Sequence, residues 1–369
     1  MFTKILVPMD GSEVSEAILP NVAHLAKRLD IPVELMSIVD AGTPPVAHEA
    51  ATPGIVRFQG RLPFISYAAD ERYYTGTPGR SMREDDPSVR SRYQYDYFDQ
   101  NVGKEPAEDM IEVQVWLDER ASWLGQQGVS VVESKVVAAI GKPSEGIIEY
   151  ADLHDCDLIA MATHDRNLLG QALRGSVTNS VIRSSHVPVI AITPEKQNGY
   201  QGQSVALSRV LVPLDGSPFA ESVLPYVENL AARLGLEVVL VQVLGFGEVS
   251  PPAGGTVVPH GGRNLEMDTT PEQVAATDAN WYLENIAERL GRMGIKARWE
   301  VITGDAVQDI AKMAQKTPDT MIALASHSRS GISRWVTGSV AEELLRESGN
   351  PVLVISAELA DGEDQSQTR

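Results

Sequence analysis

The chain has 369 residues, a length that suits two domains, and its 43% hydrophobic content is enough to build their cores. The formal net charge of −19 excludes a general affinity for nucleic acid or anionic membranes, because both attract basic surfaces. The single cysteine, Cys156, excludes an intrachain disulfide, and the sequence lacks the run of about eighteen apolar residues that a membrane span needs. We therefore expect a cytosolic protein.

The first predicted strand opens a segment that occurs twice. Residues 5–12 read ILVPMDGS, and residues 210–217 read VLVPLDGS, 205 positions further along. The apolar positions of the helix that follows recur at the same displacement. Pro20 also recurs, as Pro225, and its missing N–H predicts a local kink inside each helix. The two halves are therefore duplicates.

Strands and helices alternate along both halves. The predicted strands of the first half lie near 4–9, 32–39, 129–137, 157–163 and 188–193. Those of the second half lie near 209–214, 237–244, 295–302, 320–326 and 351–356. Such alternation gives parallel strands joined by right-handed crossovers. The sequence thus predicts an α/β fold of two tandem domains, each a five-stranded parallel sheet doubly wound by helices.

The halves differ in the segment after their second strand. Residues 175–177 recur as 338–340, a displacement of 163 positions instead of 205, so the first half carries about 42 extra residues. The predicted organisation is domain 1 at 1–194 with an insertion at 41–108, a linker at 195–208, domain 2 at 209–357 with a short insertion at 245–270, and a tail at 358–369.

The insertion 41–108 holds six of the ten tyrosines of the chain, among Pro, Gly, Arg and Asp. Tyrosines and arginines are common at contact surfaces, and a long loop without periodicity is either functional or disordered. Two interpretations of the insertion are possible. It is either an interaction arm that folds over its own site or over a protein partner, or a mobile loop.

A first candidate site follows the first strand of each half, at residues 10–12 and 215–217. The glycine permits a sharp turn and the serine can cap the next helix. One interpretation is therefore that these residues only end the strand and begin the helix. The other is that Asp10 and Asp215 accept a hydrogen bond from a ligand hydroxyl or amine.

A second candidate site follows the fourth strand. Residues 162–165 and 325–328 are each followed, after nine residues, by Gly-Ser at 175–176 and 338–339. Because a helix starts there, unpaired N–H groups and the helix dipole offer a phosphate site. The alternative is that Gly-Ser merely begins a helix.

These paired segments resemble the universal stress protein family, whose ATP-binding branch carries Gly-x-x-Gly, nine residues, then Gly-Ser or Gly-Thr. Both halves keep that spacing, but Ala162 and Ala325 replace the first glycine, and Asp165 and Ser328 replace the second. The carboxylate of Asp165 would repel polyphosphate, a sign that bound Mg²⁺ would reverse. Domain 2 is therefore predicted to be the better site.

The resemblance implies an adenine nucleotide alpha hydrolase-like fold that binds ATP or another adenine nucleotide. In domain 2 the implied contact residues are Val212, Pro213, Asp215, Ala325, Ser326, His327, Ser328, Arg329, Gly338, Ser339 and Val340. In domain 1 they are Val7, Pro8, Asp10, Ala162, His164, Asp165, Arg166, Gly175, Ser176 and Val177. The valines would contribute backbone, and the arginines either reach phosphate or lie solvated at the surface.

The resemblance also implies that the two halves pack as an intrachain pseudo-dimer through their last strands, Val189–Ile192 and Val352–Ile355. A further homodimer is compatible with it. No nucleic acid or membrane partner is expected.

Signals for other chemistry are weak. His164 and His327 are single histidines without a second ligand at regular spacing, so no metal site is predicted, and Cys156 is interpreted as a packing residue. The sequence contains no phosphate-binding Gly-x-x-x-x-Gly-Lys motif and no nucleophile–base pair. We expect a stress-response binding protein and no more than weak ATPase activity. A nucleotide-free scaffold and a slow hydrolase remain as alternatives.

Overall fold

The computed structural model describes residues 2–40, 108–130, 132–139, 142–163, 176–194, 206–245, 270–326 and 339–356. The predicted insertions 41–108 and 245–270, the linker 195–208 and the tail 358–369 lie outside these ranges, apart from a few flanking residues.

The described part of the first half alternates strands and helices in the predicted order. Its elements are β1 (Ile5–Pro8), α1 (Glu13–Glu16), α2 (Leu19–Leu29), β2 (Val33–Asp40), α3 (Glu108–Gln126), β3 (Val132–Ala139), α4 (Pro143–Leu153), β4 (Leu158–Ala162), α5 (Ser176–Ser184) and β5 (Val189–Ile192). All five strands fall where the sequence predicts them, within about three residues.

The second half repeats this order. Its elements are β6 (Arg209–Pro213), α6 (Pro218–Glu221), α7 (Leu224–Leu234), β7 (Glu237–Leu244), α8 (Pro271–Arg292), β8 (Ala297–Thr303), α9 (Ala306–Gln315), β9 (Thr320–Ser326), α10 (Ser339–Ser348) and β10 (Val352–Ser356). Within the described ranges, none of the helices combines the length and apolar character that a bilayer crossing needs.

The prolines predicted to kink one helix in each half lie instead near the start of a second helix. The chain forms the single turn α1 or α6, and α2 or α7 then begins, with Pro20 and Pro225 in its first turn. A proline costs no hydrogen bond at that place, because the first N–H groups of a helix have no intrahelical partner. The expected kink is therefore a break between two helices.

All ten strands form one sheet, in the order β3-β2-β1-β4-β5-β10-β9-β6-β7-β8. Within each half the strands are parallel, as predicted, and β5 pairs with β10 in antiparallel register, with Leu353 opposite Ile190. The predicted pairing of the last strands is thus confirmed, and it merges the two predicted sheets into one. The strands of the two halves run in opposite directions.

The helices cover both faces of the sheet in two hydrophobic clusters. One face packs against α2, α3, α7 and α8, and the other packs against α4, α5, α9 and α10. Because both faces are covered, several strands are continuous apolar runs. Both clusters contain residues of both halves, so the described core is shared between them.

Candidate functional site

The turn after β6 holds Asp215 in a fixed position. Its Oδ1 atom accepts hydrogen bonds from the Ser217 N–H (2.9 Å) and the Ser217 hydroxyl (2.6 Å). Gly216, between them, has φ +83°, a conformation that favours glycine. Ser217 Oγ in turn accepts from the Ala220 N–H, which caps α6.

This arrangement leaves Asp215 able to accept a further hydrogen bond. Both of these bonds go to Oδ1, and within the described ranges no group donates to Oδ2. The side chain is partly exposed. An ionised carboxylate is an acceptor with about four lone-pair directions, so the Oδ2 atom can serve a ligand.

Domain 1 repeats the turn closely. Asp10 Oδ1 accepts from the Ser12 N–H (3.0 Å) and hydroxyl (2.6 Å), and Ser12 Oγ caps α1 through the Ser15 N–H. The helix-cap explanation therefore holds in both halves, and it accounts for only one oxygen of each aspartate.

A crevice opens beside Asp215 at the carboxyl end of the second half-sheet. About 560 Å³ of space lies between its walls, a volume that includes open solvent. Its described walls are Pro213, Leu214, Asp215, Phe219, Ala220, Val241, Val243, Ile310, Leu324, Ala325 and Val340. We call this the domain 2 crevice.

The crevice lies where the strand order of the half-sheet reverses. β6 has β7 on one side and β9 on the other, so the chain leaves β6 in one direction and later returns to its opposite edge. Ligands of open α/β sheets bind at such a switch point, beyond the carboxyl ends of the strands.

The structure brings together four of the residues predicted for domain 2. Pro213 and Asp215 come from the end of β6, Ala325 from β9, and Val340 from the first turn of α10. The turn after the first strand and the helix start after the fourth strand therefore share one wall.

Other predicted residues lie apart from the crevice or outside the described ranges. Val7 and Val212 are fully buried in the core on the opposite face of the sheet, so only their backbone can face a ligand. Ser326 is buried at the end of β9. Outside the described part of the chain lie His164, Asp165, Arg166, Gly175, His327, Ser328, Arg329 and Gly338. Ser176 and Ser339 are described only as the first residues of α5 and α10.

The helix start of domain 1 is tied directly to the end of β4. Thr178, in the first turn of α5, donates from its hydroxyl to the Ala162 carbonyl over 3.3 Å. Val177 packs against the adjoining core cluster, and Pro8 ends β1 nearby in the sheet. The two predicted segments of domain 1 thus meet at the same end of their half-sheet.

Sequence reasoning missed the apolar walls of the crevice. Phe219 of α6, Val241 and Val243 of β7, Ile310 of α9 and Leu324 of β9 were interpreted as core or were not singled out. What marks these residues as part of the wall is their position in the fold and not their residue type. They lie in the carboxyl-terminal halves of the strands beside β6, or on helices next to them, which becomes visible only once the strand order is known.

Domain 1 carries longer side chains at two equivalent wall positions. Val241 lies opposite Pro213 in the register of β6 and β7, and Met36 lies opposite Pro8 in that of β1 and β2. Leu324 likewise corresponds to Met161, and both methionines are buried. Leucine and methionine have similar volumes, but methionine is larger than valine, so we expect less room beside Met36 than beside Val241.

A tyrosine close to the crevice is held in its neutral form. Tyr282 of α8 donates from its hydroxyl to Glu221 Oε1 over 3.1 Å. Burial raises its pKa above the ordinary value, and the charges of Glu221 and Asp215 raise it further. The phenol therefore acts as a hydrogen-bond donor and does not supply a base.

Two weaker signals have simple placements. Cys156 is buried, and this burial is the main reason that the pKa of its thiol is raised to about 12. A thiol of this kind is a packing residue and not a nucleophile. Among the residues that the structure describes, no group of three His, Cys, Asp or Glu side chains could hold a metal ion.

Comparisons of the sequence with a family profile and with individual proteins agree on one family. The family profile described as the Universal stress protein family matches residues 1–58, 94–193 and 207–356. A universal stress protein of Methanocaldococcus jannaschii is 26% identical over 156 residues, which cover 41% of this chain and 96% of the relative. One from Mycobacterium tuberculosis H37Rv is 24% identical over 234 residues, 60% of this chain and 68% of the relative.

A solved structure matches both halves at once. The crystal structure of a universal stress protein from Archaeoglobus fulgidus covers 96% of this chain and 96% of its own, with 19% identity and a TM-score of 0.57. That likeness concerns the fold. Together with the profile match over both repeats, it shows that the chain belongs to the Universal stress protein family, as a tandem pair of its domains.

Proposed function

We propose that this chain is a cytosolic stress-response regulator of the binding class, which holds an adenine nucleotide, ATP or AMP, in the domain 2 crevice. The supporting observation is the convergence on one wall of the Asp215 carboxylate and the first turn of α10, beside apolar side chains. We assign the domains to 1–194 and 209–357, as the repeat suggests.

The walls match the parts of a nucleotide. Phe219, Val241 and Leu324 offer apolar surface to a flat base, and Asp215 Oδ2 would accept from a ribose hydroxyl or a base amine. The phosphates would lie towards the start of α10, where Val340 is on the wall and the first N–H groups lack intrahelical partners.

Binding is favoured over turnover by the chemistry of the wall. Of the wall residues that the structure describes, Asp215 carries the one ionisable side chain, and its Oδ1 is occupied by the turn. A hydrolase needs a group that activates water, within reach of the phosphates. We therefore assign no catalytic residue.

The direct test is to identify what the protein carries and binds. Mass spectrometry of the supernatant from purified, denatured protein is expected to show ATP or AMP, and calorimetry on stripped protein is expected to show one site. A crevice that stays empty in millimolar ATP would contradict the proposal and favour the nucleotide-free scaffold.

Asp215→Asn tests the assigned role of the carboxylate. The amide oxygen still accepts from Ser217, so the turn is kept, while the charge and one acceptor are lost. We expect the Kd for the nucleotide to rise about tenfold, the effect of one charge-assisted hydrogen bond. The matched variant Asp10→Asn is expected to cause a smaller change, and equal changes would contradict the ranking of the two domains.

A further inference from the structure

One edge of the ten-stranded sheet is formed by β8, whose outer side has no partner strand among the described residues. β8 pairs with β7 along its full length, from Ala297 opposite Val238 to Thr303 opposite Leu244. Its middle residues, Arg298, Trp299 and Glu300, are exposed. An exposed edge of this kind is a template for pairing with another chain.

The hydrogen bonds to β7 show which backbone groups point outward. The Val238 N–H donates to the Lys296 carbonyl (2.8 Å), and the Gly304 N–H donates to the Leu244 carbonyl (2.9 Å). In a parallel ladder these two bonds mean that the backbone N–H and C=O groups of the even-numbered residues of β8 point towards β7. The N–H and C=O groups of Ala297, Trp299 and Val301 therefore face the free edge.

The side chains of the same strand alternate between two faces. Arg298 and Glu300 share one face, and each side chain is 48% exposed. Trp299 lies on the other face with Ala297 and Val301, which pack against the core under α8, and it is 36% exposed. A large aromatic residue thus lies at the centre of an edge with charges of opposite sign on either side.

We propose that β8 pairs antiparallel with β8 of a second copy of this chain, centred on Trp299. In this register the outward backbone groups of Trp299 meet those of the partner's Trp299, and Ala297 meets the partner's Val301. Arg298 then lies opposite the partner's Glu300, and Glu300 opposite the partner's Arg298. Both are non-hydrogen-bonded pairs, in which side chains come closest.

The charges select this register over its neighbours. A slip of two residues keeps the backbone groups in phase, but it centres the pairing on Arg298 or on Glu300. Each slip then places two like charges directly opposite one another, which is destabilising. Charged residues often protect an edge from pairing. In the slip centred on Arg298, Lys296 lies opposite the partner's Glu300 and offsets that repulsion in part. The register centred on Trp299 is favoured because it has two opposite-charge pairs and no like-charge pair.

The other edge of the sheet is better protected. In β3 the residue equivalent to Trp299 is Ser134, and its outward carbonyl accepts from Gln114 Nε2 of α3 over 3.3 Å. The Ser134 hydroxyl is also bonded to Asp118 of the same helix. A side chain thus occupies the position that a second strand would need, which favours β8 as the joining edge.

The test uses the full chain without added nucleotide, by sedimentation velocity over a concentration series. Moderate salt is needed because each copy carries a formal charge of −19. Wild type is expected to dimerise. Arg298→Glu and Glu300→Arg each place like charges opposite one another twice, and each is expected to raise the dimer Kd about 10- to 100-fold. Arg346→Glu, on α10, makes the same charge change far from the edge and is expected to leave the dimer intact.

Mixing the two weakened variants gives the decisive result. The strand of Arg298→Glu carries two negative residues and that of Glu300→Arg two positive ones, so the mixture restores both opposite-charge pairs and is expected to form a one-to-one heterodimer. Circular dichroism of each variant excludes misfolding as the cause of a loss. A monomeric wild type, a dimer indifferent to both substitutions, or a mixture that stays monomeric would overturn the proposal.

Discussion

Val241, in the middle of β7, is one of the residues that bound the domain 2 crevice. Its register partner is Pro213, the last residue of β6, and both lie on the crevice wall. In domain 1 the same place is taken by Met36, a longer side chain that is fully buried. The two domains thus have similar turns but differ in the side chain of the neighbouring strand, which is Val241 in domain 2 and Met36 in domain 1.

Val241→Met would transfer this feature of domain 1 into domain 2. The longer side chain is expected to project into the crevice and take space from the ligand, which should raise the nucleotide Kd about tenfold, or about 1.4 kcal/mol. Calorimetry measures the change. Met36→Val is the reciprocal control and is expected to leave the affinity of domain 2 unaltered. Unchanged binding by Val241→Met would place the nucleotide elsewhere.

At this scale the sequence predicts the polar part of the candidate site better than its apolar part. Asp215 stands out because its turn is repeated at Asp10. Phe219 and Ile310 do not stand out, because an apolar residue at the mouth of a crevice has the same sequence pattern as one in the core. Only the order of strands and the tilt of helices separate the two.

At the scale of elements, helices α2 and α7 are joined by two arginines, one from each helix. Arg28 of α2 donates to the carbonyl of Leu234, at the end of α7, over 2.7 Å. Arg233 of α7 donates to the carbonyl of Leu29, at the end of α2, and to that of Phe2 (3.0 Å). Each cation thus lies at the negative end of the opposite helix dipole.

Arg233→Ala is expected to lower the free energy of unfolding by about 1–2 kcal/mol, because two carbonyls lose a charged donor. Arg28→Ala removes one such bond and is expected to cost less. Denaturant titration followed by circular dichroism measures both. The exposed Arg292 serves as the control, because its bond among the described residues stays within its own helix. Its alanine variant should differ from wild type by no more than about 0.5 kcal/mol. Equal losses for all three would show that the contact is not specific.

The elements themselves are well predicted where hydrophobic pattern and turn chemistry agree. β3 begins at Val132 instead of 129 because Gly128, at φ +90°, still belongs to the turn after α3. The breaks before Pro20 and Pro225 were missed because a proline in an apolar helical pattern fits a kink and a new helix start equally well. The arginine contacts lie beyond prediction, since they join residues more than 200 positions apart.

At the scale of the molecule, the two halves share one sheet and two core clusters, so we expect them to unfold as one cooperative unit. Leu353 of β10 is fully buried opposite Ile190 of β5, at the joint. Leu353→Ala is expected to cost about 2–5 kcal/mol and to lower the midpoint of the whole transition while leaving it single. Calorimetry that resolves two transitions would show that the halves unfold separately.

The same measurement on Leu153→Ala provides the comparison. This leucine of α4 is 67% exposed, so its truncation removes little buried surface and is expected to shift the midpoint hardly at all. The joint itself was predictable from the family resemblance, but its register was not. Residues 189–192 and 352–355 are apolar throughout, and uniform apolar strands do not fix which residue faces which.

The antiparallel joint between β5 and β10 gives the molecule two poles. Because the carboxyl ends of one half-sheet point away from those of the other, the turn at Asp10 and the turn at Asp215 lie on opposite sides. A small ligand bound at one turn therefore cannot contact the other. Each turn faces its own region of solvent, so the duplication gives the chain two separate surfaces and not one enlarged surface.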